Sequence, residues 1–159
     1  MHAGQIMSRD VITCGPDDSL ADAVRKMRDH GVGCLLVVDR DDRLVGVMTD
    51  RDVCFAAFTS ERPLKHIPVK SAMTSHVYSL MSDNRIQDVE VIMSTYKVRR
   101  VPIVDGENRV LGVVSLSDIA RAASRELRER HPDVTDADLV TTISQVCKAR
   151  GLIPLPAAD

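Results

Sequence analysis

Two short stretches of this sequence bring a hydroxyl and a carboxylate to the same spacing: Thr49-Asp50-Arg51-Asp52 and Ser115-Leu116-Ser117-Asp118. Each follows a Gly-Val pair, Gly46-Val47 and Gly112-Val113, where an apolar run gives way to a helical pattern. One chemistry for this pattern is local. In a capping box the hydroxyl accepts from a backbone N–H three residues on, and the acid accepts from the N–H at the helix start. A second chemistry turns the same groups outward. A carboxylate accepts from both hydroxyls of a vicinal diol such as that of a ribose, while Thr or Ser and the N–H groups of the first turn face a phosphate. The glycine would then leave room where a ligand approaches. A single copy reads as a cap; two copies in equal register favour the outward reading, because a cap need not be placed at a cleft twice.

The motifs sit inside a longer duplication. Residues 7–54 recur without a gap as residues 73–120, so that Met7 falls on Met73, Asp22 on Asp88, Met27 on Met93 and Arg43 on Arg109, at a constant offset of 66. Each unit is shorter than the roughly 70–80 residues below which one hydrophobic core seldom suffices, so the halves are expected to pack face to face and leave clefts along the seam.

In the first unit, residues 11–13 read as a short strand broken by Gly15-Pro16, and Asp17, Asp18 and Ser19 offer N-cap oxygens to a helix. Leu20, Ala23, Val24 and Met27 form one apolar stripe on that helix, which His30-Gly31 ends. Residues 34–38 and 44–48 read as strands joined by the polar turn Asp39-Arg40-Asp41-Asp42. From about Asp50 a second helix offers Val53, Phe55, Ala56, Ala57 and Phe58 to cover the sheet. The second unit repeats the order: strand 77–80, a helix over about 84–96 with the stripe Ile86, Val89 and Met93, strands 101–104 and 110–114, and a helix from about Leu116. The unit is therefore β-α-β-β-α, used twice. Its closing helix is expected to run on through Arg121, Arg125, Glu126, Arg128 and Arg130 as a solvated charged face until Pro132. Thr135 then starts a terminal helix with Leu139, Ile143 and Val146 on one face and Gly151 as its stop. That apolar face either docks back on the pair or joins two chains, and the second is favoured. The expected divisions are 1–62 for the first repeat, 63–71 for a linker extended by Pro63 and Pro68, 72–130 for the second repeat and 131–159 for the terminal helix and tail.

Composition narrows the function. With 44% hydrophobic and 28% charged residues the chain reads as an ordinary globular protein, and its apolar runs fall far below the roughly 18 residues that span a bilayer, so no membrane association and a cytoplasmic location are expected. A net charge of −2 with two Phe, two Tyr and no Trp argues against nucleic acid as a partner. Cys14, Cys34, Cys54 and Cys147 form no C-x-x-C pair and are expected to be reduced and mostly buried. His2, His30, His66, His76 and His131 show no i, i+4 pair, so no metal site is expected. A small nucleotide hydrolase acting through Asp52 or Asp118 would need a Gly-rich phosphate loop with Lys, a paired acid and base, or a nucleophile with its His, and the sequence carries none of these. No catalytic residue is assigned.

The duplicated unit, the hairpins over 35–46 and 101–112, the stretch Arg99-Arg100-Val101-Pro102-Ile103-Val104-Asp105 and the paired Gly-x-x-Thr/Ser-x-x-Asp motifs together resemble the cystathionine-β-synthase (CBS) domain pair, or Bateman module, over roughly residues 3–125. The resemblance implies an α/β (α+β) fold of two repeats packed sheet to sheet about a pseudo-two-fold axis, here with a C-terminal helical extension. It implies a regulatory ligand, an adenine nucleotide (AMP, ADP or ATP) or a related adenosyl compound, held in two clefts, with no catalytic cofactor. A homodimer and a target protein follow as partners. Carried onto this sequence, Asp52 and Asp118 match the ribose-binding acids, Thr49 and Ser115 the adjacent hydroxyls, and Arg51 and Ser117 lie in the same turns. Val32-Gly33 is expected to face Asp118 and Val98-Arg99 to face Asp52, while Ile6 and Ile67-Pro68 match segments that finish the base pocket. Arg99 is the first candidate for phosphate and Arg100 the second, since a guanidinium donates paired hydrogen bonds. Gly33-Cys34 occupies the matching place in the first unit, so one good site and one weaker site are expected. The competing reading is a structural or redox-linked dimer whose clefts bind no nucleotide.

Overall fold

A computed structural model describes residues 1–129 and 136–147. The elements are helix α1 (Ala3–Ile6), strand β1 (Thr13–Cys14), helix α2 (Leu20–His30), strands β2 (Cys34–Val38) and β3 (Leu44–Thr49), and helix α3 (Asp50–Ser60). The second unit adds β4 (Leu80–Met81), α4 (Ile86–Tyr96), β5 (Arg100–Val104), β6 (Val110–Ser115) and α5 (Leu116–Glu129), and α6 (Asp136–Cys147) follows. The β-α-β-β-α order holds in both units, as two three-stranded sheets in which the central strand pairs parallel with the first and antiparallel with the third. Local chemistry accounts for the ends. Ser19 Oγ accepts from Asp22 N at 3.1 Å to start α2, and Gly31 at φ 64° closes it in the left-handed conformation that glycine adopts without steric cost.

What the sequence does not announce is an exchange of leading segments. The residues before and at the start of the first unit pack on the second: Ala3 and Met7 join Ile86, Val89, Met93, Val101, Ile103 and Val114 in one core. The residues before the second unit pack on the first: Ile67 and Val69 join Leu20, Ala23, Met27, Leu35, Val37 and Met48 in the other. The hydrogen bonds repeat at the 66-residue offset. Ile67 O accepts from Leu20 N at 2.8 Å and Met1 O from Ile86 N at 3.2 Å, so each exchanged segment takes up an otherwise orphaned donor at the head of a helix. Thr74 and Val47 exchange two bonds of 2.9 Å, and Ser8 and Val113 exchange bonds of 2.9 and 3.0 Å. The segment read as a linker thus closes a core, folding into short 3-10 turns at Leu64–His66 and Val69–Ser71.

Between the sheets lies a third apolar cluster of Leu36, Leu44 and Val104 with Val11, Val47, Val77 and Val110 against it. At its edge the hairpin tips bond reciprocally, Leu44 N to Asn108 O at 2.9 Å and Val110 N to Asp42 O at 3.3 Å. Both acceptors, Asp42 at φ 60° and Asn108 at φ 65°, use the left-handed turn that Asp and Asn tolerate.

Several burial expectations need correction. Val24 sits at the margin of its stripe, 37% exposed. On α3 only Val53 is buried, with Ala56 partly packed; Phe55 and Phe58, 50% and 82% exposed, project from another side because helical spacing allows one face to reach the sheet. Cys14 is buried, Cys34 half-buried and Cys54 exposed. Helix α6 packs on α4 and α5 with Thr142 buried, while Ile143 remains partly exposed. Expectations placed on Arg130, Pro132, Thr135 and Gly151, and on the side chains of Arg125, Glu126, Arg128, Leu139, Val146 and Cys147, lie outside the described residues. Among the described residues no helix is long and apolar enough to cross a membrane.

Candidate functional site

Both hydroxyl-carboxylate motifs form at the junction of a third strand and the helix that follows, and both make the capping box. Thr49 N and Thr49 Oγ1 donate to Asp52 Oδ2 at 2.8 and 2.6 Å, and Asp52 N donates back to Thr49 Oγ1 at 3.3 Å. Ser115 N donates to Asp118 Oδ2 at 2.7 Å, Ser115 Oγ donates to the same oxygen, and Asp118 N donates to Ser115 Oγ at 3.3 Å. The local reading of the motif is therefore correct in both copies. It uses one carboxylate oxygen, and the fate of the other separates the two sites.

Among the described residues Asp52 Oδ1 accepts no hydrogen bond, and Asp52 is half-buried. It borders an open cleft of about 560 Å³ between one face of α3 and the exchanged segment, lined also by Phe55, Ala56, Thr59, Arg62, Ile67 and Pro68. Asp118 is only 4% exposed. Its Oδ1 accepts from Arg121 Nη2, one helical turn on, and from Ser8 Oγ at 3.3 Å, delivered by the exchanged N-terminal segment. The first carboxylate is half engaged and the second fully engaged.

The remaining candidates divide between the units. Ile67 and Pro68 come to Asp52, whereas Ile6 packs against the second core. Val32 packs on the first core and Val98 on the second. The Gly33 carbonyl accepts from Asp50 N at 3.2 Å in its own unit, and Arg99 O accepts from Leu116 N at 3.1 Å in the same way. These positions secure the head of their own unit's helix. The glycines of the motif also need another explanation: a Cβ on Gly46 would stand 2.6 Å from Met73 Sδ, and one on Gly112 would stand 2.7 Å from Met7 Sδ and 2.8 Å from Ser8 O. They leave room for the exchanged segments and not for a ligand.

Arg99 and Arg100 are exposed, as are Arg51, whose guanidinium lies 5.5 Å from the centre of the Phe55 ring, and Ser117, whose Oγ is 2.8 Å from Ser115 Oγ. Across the seam the repeat-equivalent residues Cys34 and Arg100 meet electrostatically. Burial pushes the Cys34 thiol up, the Arg100 cation opposes this, and the Asp52 and Asp50 carboxylates reinforce it. Burial pushes the Cys14 thiol up to about 11, which keeps it protonated and unreactive at neutral pH. Among the described residues no group of three His, Cys, Asp or Glu side chains could hold a metal ion. Sequence reasoning missed Phe55 as a cleft wall, and it placed Arg121 on a solvated face. The i, i+3 spacing of Asp118 and Arg121 was the available signal for the second.

Comparison with known proteins places this geometry. A family model described as "CBS domain" matches residues 3–58 and 69–125. The inosine-5'-monophosphate dehydrogenase of Methanocaldococcus jannaschii is 35% identical over 119 residues, 75% of this chain, of which the chain spans only 23%. The CBS domain pair of protein MJ0100, solved in complex with 5'-methylthioadenosine and S-adenosyl-L-methionine, superimposes with a TM-score of 0.70 at 28% identity, covering 79% of this chain and 98% of that one. CBSX2 solved in complex with AMP superimposes with a TM-score of 0.72 at 25% identity, covering 80% and 98%.

Proposed function

The chain belongs to the CBS-domain family, and from that premise we propose that it is a regulatory module that binds an adenosyl ligand at Asp52 and passes its occupancy to a partner protein. The observation that carries this reading is the unengaged Oδ1 of Asp52 beside a cleft of about 560 Å³. A ribose diol donates to that oxygen while Oδ2 stays on Thr49, so binding need not break the helix cap. The base lies against Ile67, Pro68, Ala56 and Phe55, where an apolar floor suits a flat heterocycle. A phosphate faces the first turn of α3, with Arg51 on that turn and Arg99 and Arg100 at the seam as its cations. The adenosyl compounds in the MJ0100 and CBSX2 structures support this ligand class, and AMP, ADP and ATP are its first members to test. The module acts in the cytoplasm as a homodimer, without catalysis of its own. A ligand changes that assembly only through its differential affinity for two arrangements.

A thermal-shift panel of AMP, ADP, ATP, NADH and S-adenosylmethionine tests the proposal. At about a hundred times its dissociation constant a ligand adds about 2.7 kcal/mol, which for a chain of this size raises the melting midpoint by roughly 5–10 °C. A panel in which no compound moves the midpoint would favour the reading of a structural dimer with empty clefts.

A further inference from the structure

We infer that Arg121 is a built-in partner of the second motif's carboxylate, Asp118, so that the chain binds one adenosyl ligand and not two; the inference rests on the ligand class proposed above. The repeats supply an internal comparison. At the offset of 66 residues Arg121 stands where the first unit has Phe55. Phe55 lines the open cleft and leaves Asp52 Oδ1 unengaged, whereas Arg121 places its Nη2 on Asp118 Oδ1. Two further groups close the same carboxylate: Ser115 through Oδ2, and Ser8 Oγ at 3.3 Å through Oδ1. Asp118 is left 4% exposed with both oxygens committed. A diol arriving there must displace a cation from a carboxylate, a charge-assisted bond about twice as strong as a neutral one, and can return only neutral hydroxyl donors. At Asp52 the same diol displaces no protein group. Arg121 itself is largely exposed, so its removal strips no core packing and leaves Ser8 as the one remaining side-chain donor on Asp118 Oδ1 among the described residues.

The test is the number of AMP molecules bound per chain, measured by calorimetric titration of the full chain, its Arg121→Phe variant and its Arg121→Gln variant. The expected result is one site in the wild type and two in Arg121→Phe, which restores the first unit's residue, with the added site dependent on Asp118 in an Arg121→Phe, Asp118→Asn double variant. Arg121→Gln removes the cation without adding an aromatic ring and carries the same test if the Phe variant melts without cooperativity. The increment decides the role of Arg121, and the wild-type count decides the Asp52 reading. No added site in either folded variant, or two sites already in the wild type, overturns the inference; no site in the wild type and one in the variant upholds Arg121 and overturns Asp52.

Discussion

Two carboxylates in one motif come to opposite ends through the groups around them. Asp52 and Asp118 each spend Oδ2 on a helix cap, yet only Asp52 keeps Oδ1 for something else. The cap was legible from Thr/Ser-x-x-Asp; the fate of the second oxygen was not, because it depends on Ser8, which reaches Asp118 from 110 residues away. Another carboxylate at this scale carries a pH dependence. Glu90 on α4 has Oε1 buried without a hydrogen bond among the described residues, and burial, with the Asp138 carboxylate of α6 adding to it, holds its carboxyl above the usual carboxylate range. A folded-state value raised above the unfolded one means that the fold prefers the protonated form. That stabilisation is complete below the unfolded value of about 4.3 and is lost as pH rises through the folded value. Glu90→Gln is therefore expected to melt higher than the wild type at pH 7 and level with it near pH 4; a variant that melts lower at pH 7 would show that the carboxylate is paired and welcome there.

Helices and strands were readable because hydrophobic period and duplication pointed the same way: the stripe Ile86, Val89, Met93 is fully buried, as is most of its counterpart Leu20, Ala23, Met27. The exchange of leading segments was not readable. Met7 and Met73 open their own repeats, and nothing in a linear pattern says that each packs on the other's sheet. The glycines were the overlooked signal, since a small residue inside a strand often marks a close approach of backbone. Gly112→Ala pushes a Cβ to 2.8 Å from the Ser8 carbonyl, while the nearest backbone atom to a Cβ at Gly46 is Thr74 O at 3.2 Å, with the flexible Met73 side chain as the other neighbour. Overpacking of this kind costs about 1–3 kcal/mol. Gly112→Ala is expected near the top of that range in a denaturant titration and Gly46→Ala near the bottom, and equal, negligible losses would mean that the exchanged segments sit loosely.

At the scale of the whole molecule the pair is symmetric in its backbone and asymmetric in its chemistry. Reciprocal bonds at the hairpin tips and at the exchanged segments follow the offset of 66 with few exceptions. The side chains break the symmetry: Phe55 against Arg121 and Cys34 against Arg100 near the two motifs, and Val24 against Glu90 on α2 and α4. Gly33-Cys34 against Arg99-Arg100 is the sequence's ground for expecting one good and one weaker site; the bond from Arg121 to Asp118 is a second difference between the two motifs, and it underlies the inference drawn above. Asp52 is where the account is most exposed to test. Asp52→Asn keeps an oxygen for the Thr49 amide, so the unliganded fold should lose no more than the roughly 1 kcal/mol of a weakened cap, while the charged acceptor for a diol is gone. A calorimetric titration of AMP into this variant is expected to show binding at least tenfold weaker than in the wild type, with Asp118→Asn leaving that first site intact. AMP binding unchanged in Asp52→Asn would contradict the account.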